Sequence, residues 1–249
     1  MSKIDTEVVE KKKKTRVVAP PLEPCYDIQN KYEISTDGVG LGTLYGRVYA
    51  AACILPKTGF RHEDMKDSKK IKSKKKMREL ADYIKTNSIA WHIAYVEESM
   101  IDRINILQAE MLAMHDCIRG VLSKMNFEIS DEKSDYKDYM LLVDGNYFKP
   151  FTMFDEKNEQ ICSFRHETIE QGDNKYSGIA AASILAKDAR DQYIEDMCTK
   201  YPDLITRYSL NTNEGYGTKA HMEGIQKYGI TQWHRKSFGC CKTALLNPL

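Results

Sequence analysis

From Tyr32 onward the chain alternates short apolar runs with longer stretches of three-and-four spacing. The runs at Tyr32–Thr36, Arg47–Leu55, Ile89–Val96, Tyr139–Val143 and Gln160–Phe164 are rich in Val, Ile, Tyr and Ala and have strand length. The first two flank a glycine-rich loop, which predicts an antiparallel hairpin. Ile104, Leu107, Met111, Met114, Ile118 and Val121 recur at steps of three and four and predict a helix with one apolar stripe. A second helix is expected from about Tyr176 to Lys200. Its early turns, Ile179-Ala-Ala-Ala-Ser-Ile-Leu-Ala186, are small enough to lie close on a sheet. Tyr201-Pro202 ends it, because proline disfavours helical geometry in the residue before it. A third helix is expected near Thr218 to Tyr228, stopping at Gly229. Strands interleaved with helices predict an α/β fold, a sheet with helices on its faces, and from about residue 200 a helical lobe.

Residues 1–24 break this pattern. Lys11 to Lys14 and Arg16 precede Ala19-Pro-Pro-Leu-Glu-Pro24, a composition that buries little and predicts a disordered basic tail ahead of one domain at 25–249. The tail reads as a nuclear signal, a nucleic-acid tether or a plain solvated arm. The 42% apolar content is enough for one large domain. A net charge of +1 identifies no partner, so local charge decides more. Lys66 to Arg78 carries eight basic residues against one Asp, which suits phosphate contact or a solvated helix face. No apolar run is long enough to span a bilayer and no signal-peptide pattern opens the chain, so no membrane partner is expected. Seven scattered cysteines without a Cys-x-x-Cys pair suit reduced thiols and a cytoplasmic or nuclear setting.

The chemistry concentrates at three acids. Asp37 ends the first strand and opens Asp37-Gly-Val-Gly-Leu-Gly42, where missing side chains let a phosphodiester approach the main chain. Asp144 ends a buried strand before Gly145, which is either a presented metal ligand or an ordinary turn. Asp173 precedes the Ala-rich helix, as a ligand or as a helix-entry acid. If the three converge, they offer hard oxygen donors to two divalent cations, the arrangement that activates water and steadies a leaving oxygen. His221 and His234 have no zinc spacing with any cysteine pair; His221 reads as a residue that orients the loop at Tyr216.

Across residues 31–238 the chain resembles the ribonuclease HII (type 2 ribonuclease H) family. Asp37-Gly-Val-Gly-Leu-Gly-Thr-Leu-Tyr-Gly-Arg-Val48 stands where that family has Asp-Glu-Ala-Gly-Arg-Gly-Pro-Leu-x-Gly-Pro-Val. Asp67-Ser-Lys-Lys70, Asn105-Ile-Leu-Gln-Ala109, Met111-Leu-Ala-Met114, Val143-Asp-Gly145 and Gly172-Asp173 follow in order. Ile179 to Lys187 with Arg190-Asp191, Gly215-Tyr-Gly-Thr218, His221 and His234-Arg-Lys-Ser-Phe238 complete the match. The resemblance implies a ribonuclease H-like mixed central sheet flanked by helices, with a helical C-terminal lobe. It implies an endonuclease of DNA replication and repair, acting on RNA–DNA hybrids and ribonucleotide-containing duplex DNA. Such an enzyme cuts 5′ of the ribonucleotide, leaves a 5′-phosphate and uses two Mg2+ or Mn2+ ions. It assigns Asp37, Asp144 and Asp173 to catalysis and metal binding. It assigns Gly40, Leu41 and Gly42 to sensing the 2′-hydroxyl, Lys69 and Lys70 to the substrate backbone, and Tyr216 to stacking at the junction. Asp191 reads as a structural anchor. A monomer is expected.

The departures cluster at the site. Gly38 stands where the family has a glutamate, leaving three of four acids, and Leu41 stands where it has an arginine. Glu33 shares a strand face with Asp37 but lies about 13 Å away along it, too far to compensate. Two readings follow: a nuclease weakened by Gly38 and Leu41, or a non-catalytic relative that binds RNA–DNA junctions without cutting.

Overall fold

The structure, a computed structural model, describes residues 20–129 and 135–249. The basic run of the expected tail lies outside the described residues. Glu23 is already part of the fold: its N–H donates to the Lys175 carbonyl (2.8 Å) and its carbonyl accepts from the Ser177 N–H (2.9 Å).

Five strands form the central sheet: β1 (Tyr32–Val39), β2 (Val48–Ile54), β3 (Ala90–Val96), β4 (Tyr139–Asp144) and β7 (Arg165–Ile169). Their order is β3-β2-β1-β4-β7. The β1–β2 and β2–β3 pairs are antiparallel, while β1–β4 and β4–β7 are parallel, so the sheet is mixed. The hairpin expected around the glycine loop is present as β1–β2. A separate two-stranded ribbon joins β5 (Thr152–Asp155) to β6 (Gln160–Ser163). The Gln160–Phe164 run is therefore a strand outside the central sheet. The edge position goes to Arg165-His-Glu-Thr-Ile169, whose polar residues suit a partly exposed edge and hide it from a search for apolar runs.

Helices cover both faces. On one lies α3 (Ile106–Lys124), entered from α2 (Glu98–Ile104) through Asn105, whose side chain accepts from the Gln108 N–H (3.1 Å) as an N-cap. The buried stripe of α3 runs through Ala109, Met111, Ala113, Met114, Cys117, Ile118 and Val121. Leu107, expected in it, is 42% exposed: Ala109, Ala113 and Cys117, too small to stand out in the pattern, rotate the stripe away from it. This layer packs on Ile34, Val48, Ala50, Ala52, Leu141 and Val143. On the opposite face, α4 (Ser177–Lys200) and α1 (Lys74–Asn87) pack on Ala51 and Cys53. Every residue of β2 is buried, which is why its sequence is continuously apolar rather than alternating.

Beyond α4, the short helices α5 (Asp203–Tyr208), α6 (Leu210–Asn213) and α7 (Lys219–Tyr228) gather around Tyr45, Ile194, Tyr208 and Ile225 as a lobe. Thr218 caps α7 from its side chain. The loop between β1 and β2 is stitched to this lobe by Leu44 N–H to Gly215 O (2.8 Å), Gly46 N–H to Trp233 O (2.8 Å) and Arg235 N–H to Leu44 O (2.9 Å). No helix among the described residues is long and apolar enough to cross a membrane.

Candidate active site

The parallel pairing of β1 and β4 brings two of the three acids together. Thr36 is paired with Val143, so Asp37 and Asp144 follow side by side on neighbouring strands, at a strand spacing of about 4.8 Å. Asp144 ends β4 and Asp37 stands two residues before the end of β1, which runs on past the expected Thr36, at the carboxyl rim where open α/β sheets present ligand sites. Asp173 joins them from the short turn Gly172–Asn174 between β7 and α4. Gly172 links the two acids directly, since its N–H donates to Asp144 Oδ1 (2.7 Å). Asp37 and Asp173 are nearly buried, at 6% and 4% exposure.

Carboxylates at this spacing resist ionisation together. Asp37 is pushed up to about 8, chiefly by burial and then by the charges of Asp144 and Asp173; hydrogen bonds from Ser183 and from the Gly38 N–H oppose this. The Gly38 bond is 2.7 Å long. Burial raises Asp173, aided by Asp67 and Asp144 and opposed by Lys69. Lys69 Nζ is 3.9 Å from Asp173 Oδ2. Asp67 accepts from the Lys69 N–H (2.9 Å), which shapes the turn that presents Lys69 and Lys70 to solvent. Lys70 bonds the Asn174 side chain. The basic segment thus borders the acids at Lys69 and Lys70. Further along, Lys74 and Arg78 are paired to Glu195.

One carboxylate here escaped the reading of the sequence. Glu110, on α3, fills the space that Gly38 leaves: a Cβ on Gly38 would lie 2.5 Å from Glu110 Oε1 and 3.2 Å from its Cδ. Glu110 is half-buried, and no donor or cation among the described residues pairs with it. Its carboxyl is pushed up to about 7, first by burial and then by the charge of Asp144. The signal was an acid flanked by the buried Ala109 and Met111 on the sheet-facing helix.

These side chains are neighbours without being gathered. No three His, Cys, Asp or Glu side chains among the described residues stand close enough, as they are, to hold one ion. Like charges repel, and three of the acids are turned onto local donors: Asp37 onto Gly38, Asp144 onto Gly172 and Asp173 onto Asn174. The donor chemistry nonetheless fits a hard divalent cation such as Mg2+ or Mn2+, since every candidate is a carboxylate. The cradle that a Cβ on Gly38 would occupy itself holds a carboxylate oxygen.

The glycine loop lies beside the acids; the buried Arg235 bonds it from below, and the buried Arg190 packs against Gly40. Gly40 has φ +91°, and a Cβ there would sit 2.6 Å from Arg190 Nε, so no other residue fits. Arg235 donates from Nε to the Gly46 carbonyl (2.8 Å) and from Nη1 to the Leu41 carbonyl (3.0 Å). Burial, followed by the nearby Arg190, lowers Arg235 to about 10. Gly42 is exposed with open space where a Cβ would stand. Tyr216 is bridged to Thr43, and its ring is 43% exposed, with the Arg190 guanidinium 5.5 Å from its centroid. Asp191 binds Lys187 (2.6 Å), which also binds Glu214 (2.6 Å), and so anchors structure.

Behind Tyr216 runs a directional hydrogen-bond relay. The Thr231 N–H donates to His234 Nδ1 (3.0 Å), which puts the His234 proton on Nε2. That proton goes to His221 Nε2 (3.1 Å), leaving the His221 Nδ1–H to donate to the Tyr216 carbonyl (2.9 Å). Both rings are fully buried, so His221 orients the Tyr216 loop, as its position in the sequence suggested.

Known proteins match the chain over most of its length. The family model for ribonuclease HII matches residues 34–241. The ribonuclease HII of Parabacteroides distasonis is 40% identical over 208 residues, covering 84% of this chain and 90% of that protein. The ribonuclease HII of Bacteroides thetaiotaomicron is 37% identical over 215 residues, covering 86% and 93%. Among solved structures, the ribonuclease H2 of Pyrococcus horikoshii superposes with a TM-score of 0.59 at 17% identity, covering 85% of this chain and 95% of that one.

Proposed function

The chain belongs to the ribonuclease HII family, and on that footing we propose that it is a divalent-cation-dependent endoribonuclease. It hydrolyses the RNA strand of RNA–DNA hybrids and cuts duplex DNA on the 5′ side of embedded ribonucleotides, leaving a 5′-phosphate. The observation that carries this reading is the side-by-side stand of Asp37 and Asp144 at the ends of parallel strands, with Asp173 in the adjoining turn.

Asp37, Asp144 and Asp173 would hold the cations, Mg2+ or Mn2+. When bound, such ions supply a Lewis acid for the phosphate oxygens and a water acidic enough to react at neutral pH. The protein contributes a rim where negative side chains already press on one another, so that cations relieve repulsion as they bind. Tyr216 offers an exposed ring face on which a nucleotide stacks, a contact every base can make. The backbone of Gly40, Leu41 and Gly42, with the Leu41 carbonyl fixed by Arg235, would read the 2′-hydroxyl that separates RNA from DNA. The exposed Lys69 and Lys70 meet the phosphate backbone. Leu41 lacks the planar charged donor that an arginine would bring, and its effect falls on substrate affinity.

The test is a labelled DNA duplex carrying one ribonucleotide, incubated with the full chain and Mn2+. A single nick on the 5′ side of the ribonucleotide is expected. Binding without a nick would make the protein a junction-binding relative instead, and neither binding nor a nick would remove the proposal.

A further inference from the structure

We propose that Glu110 supplies the fourth carboxylate of this centre, reaching from α3 into the space that Gly38 leaves on β1. The inference rests on the reading of the rim as a divalent-cation site, and it changes what the glycine means. Position 38 falls four residues after Ile34, which packs against the α3 layer, so a side chain there points toward α3. Glu110 comes from that helix to the same point, with Oε1 at 2.5 Å from where the Cβ would be. The two cannot both stay as they are: a side chain at position 38 would displace the Glu110 carboxylate from this point.

The helix carries it at a cost. A half-buried carboxylate with no hydrogen-bond donor or cation among the described residues is unfavourable in a layer of Ala, Met, Cys and Ile side chains. A glutamine or threonine there would fill space without that cost. The charge that bears on it is that of Asp144, a second anion, and no ion pair among the described residues accounts for it. A cation between the two does. Two divalent ions bring four positive charges, which four carboxylates balance and three do not. Gly38 is then half of an exchange, the acid moving from strand to helix, and not the loss of a ligand.

The experiment uses the full chain, calorimetric titration with Mn2+, thermal melts with and without Mn2+, and the single-ribonucleotide duplex. Glu110→Gln is expected to lower Mn2+ affinity by about 10- to 100-fold. It is also expected to leave the metal-free melting temperature unchanged or raised, since it removes an unpaired charge, while abolishing most of the Mn2+-induced rise. A merely structural role predicts the opposite, a lower metal-free melting temperature with Mn2+ binding intact. Gly38→Glu alone sets a fifth acid against Glu110 and is expected to bring no gain. The double variant Gly38→Glu/Glu110→Thr returns the acid to the strand and is expected to recover Mn2+ affinity and cleavage to within a few fold. Should Glu110→Gln bind Mn2+ as the parent does while Asp144→Asn does not, Glu110 is no ligand although the rim is a cation site. Should Asp144→Asn also bind Mn2+ unchanged, the cation reading of the rim fails as well.

Discussion

The acid rim and the histidine relay behind Tyr216 both bury titratable groups, and they do so in opposite ways. In the relay, Thr231, His234, His221 and the Tyr216 carbonyl form one chain in which each donor has its acceptor and neither imidazole carries charge. Burial lowers His221, and lowers His234 to about 3 with help from His221, so both stay neutral. At the rim, Asp37, Asp144, Asp173 and Glu110 are neighbours, and the ion pair there among the described residues is that of Lys69 with Asp173, at 3.9 Å. A satisfied polar chain holds a loop in place. A group of neighbouring acids, with Asp37, Asp173 and Glu110 held above the usual carboxylate range, makes sense as a place where cations arrive.

The sharpest way to break this contrast is to remove one member from each region. Asp144→Asn should lower the cleavage rate at least 100-fold, equivalent to about 3 kcal/mol, while leaving the metal-free melting temperature no lower than the parent's. A variant that cuts normally, or that unfolds, would make Asp144 a structural residue. His234→Ala should do the reverse. It leaves His221 and Thr231 without their partner in a sealed pocket and should cost about 2–4 kcal/mol of stability, read in urea unfolding. Unchanged stability would mean that the relay is not what fixes the Tyr216 loop.

Acid should separate the regions further. The folded state keeps His234 neutral down to about 3, whereas the unfolded chain takes up that proton near 6.5. Unfolding therefore binds protons between these values, and the relay's contribution is complete above about 6.5 and declines as the pH falls. Urea midpoints measured from pH 7 to pH 5 should drop, and the slope should be shallower in His234→Ala. A slope identical in the two proteins would contradict the assignment. The smallest effect belongs to Lys69→Ala. An exposed lysine beside Asp173 should change duplex affinity by roughly 5-fold or less and reduce the salt dependence of binding by about one counterion.

How much of this was legible in the sequence follows from the same physics. Tyr32–Thr36 and Tyr139–Val143 announced themselves because both lie inside the sheet, and the acids after them were conspicuous as charges at the ends of apolar runs. The edge strand Arg165–Ile169 did not, because half of it faces water. Asp37, Asp144 and Asp173 stood out by position, and the resemblance to a known family is what assigned them to one site. Glu110 was missed because compensation was sought along β1, at Glu33, which instead accepts from the Tyr26 and Asp27 N–H groups. Position 38 and position 110 meet only when α3 lies on β1, and no spacing along the chain records that.

The central claim, that four carboxylates from β1, β4, the Gly172–Asn174 turn and α3 form one divalent-cation centre, is met most directly by crystals soaked in Mn2+ with anomalous data collected. The account predicts manganese bound at the rim, with oxygens of Asp37, Asp144, Asp173 and Glu110 drawn onto it from their present separate positions. Manganese elsewhere on the chain, or at the rim with Glu110 left pointing away, would contradict it.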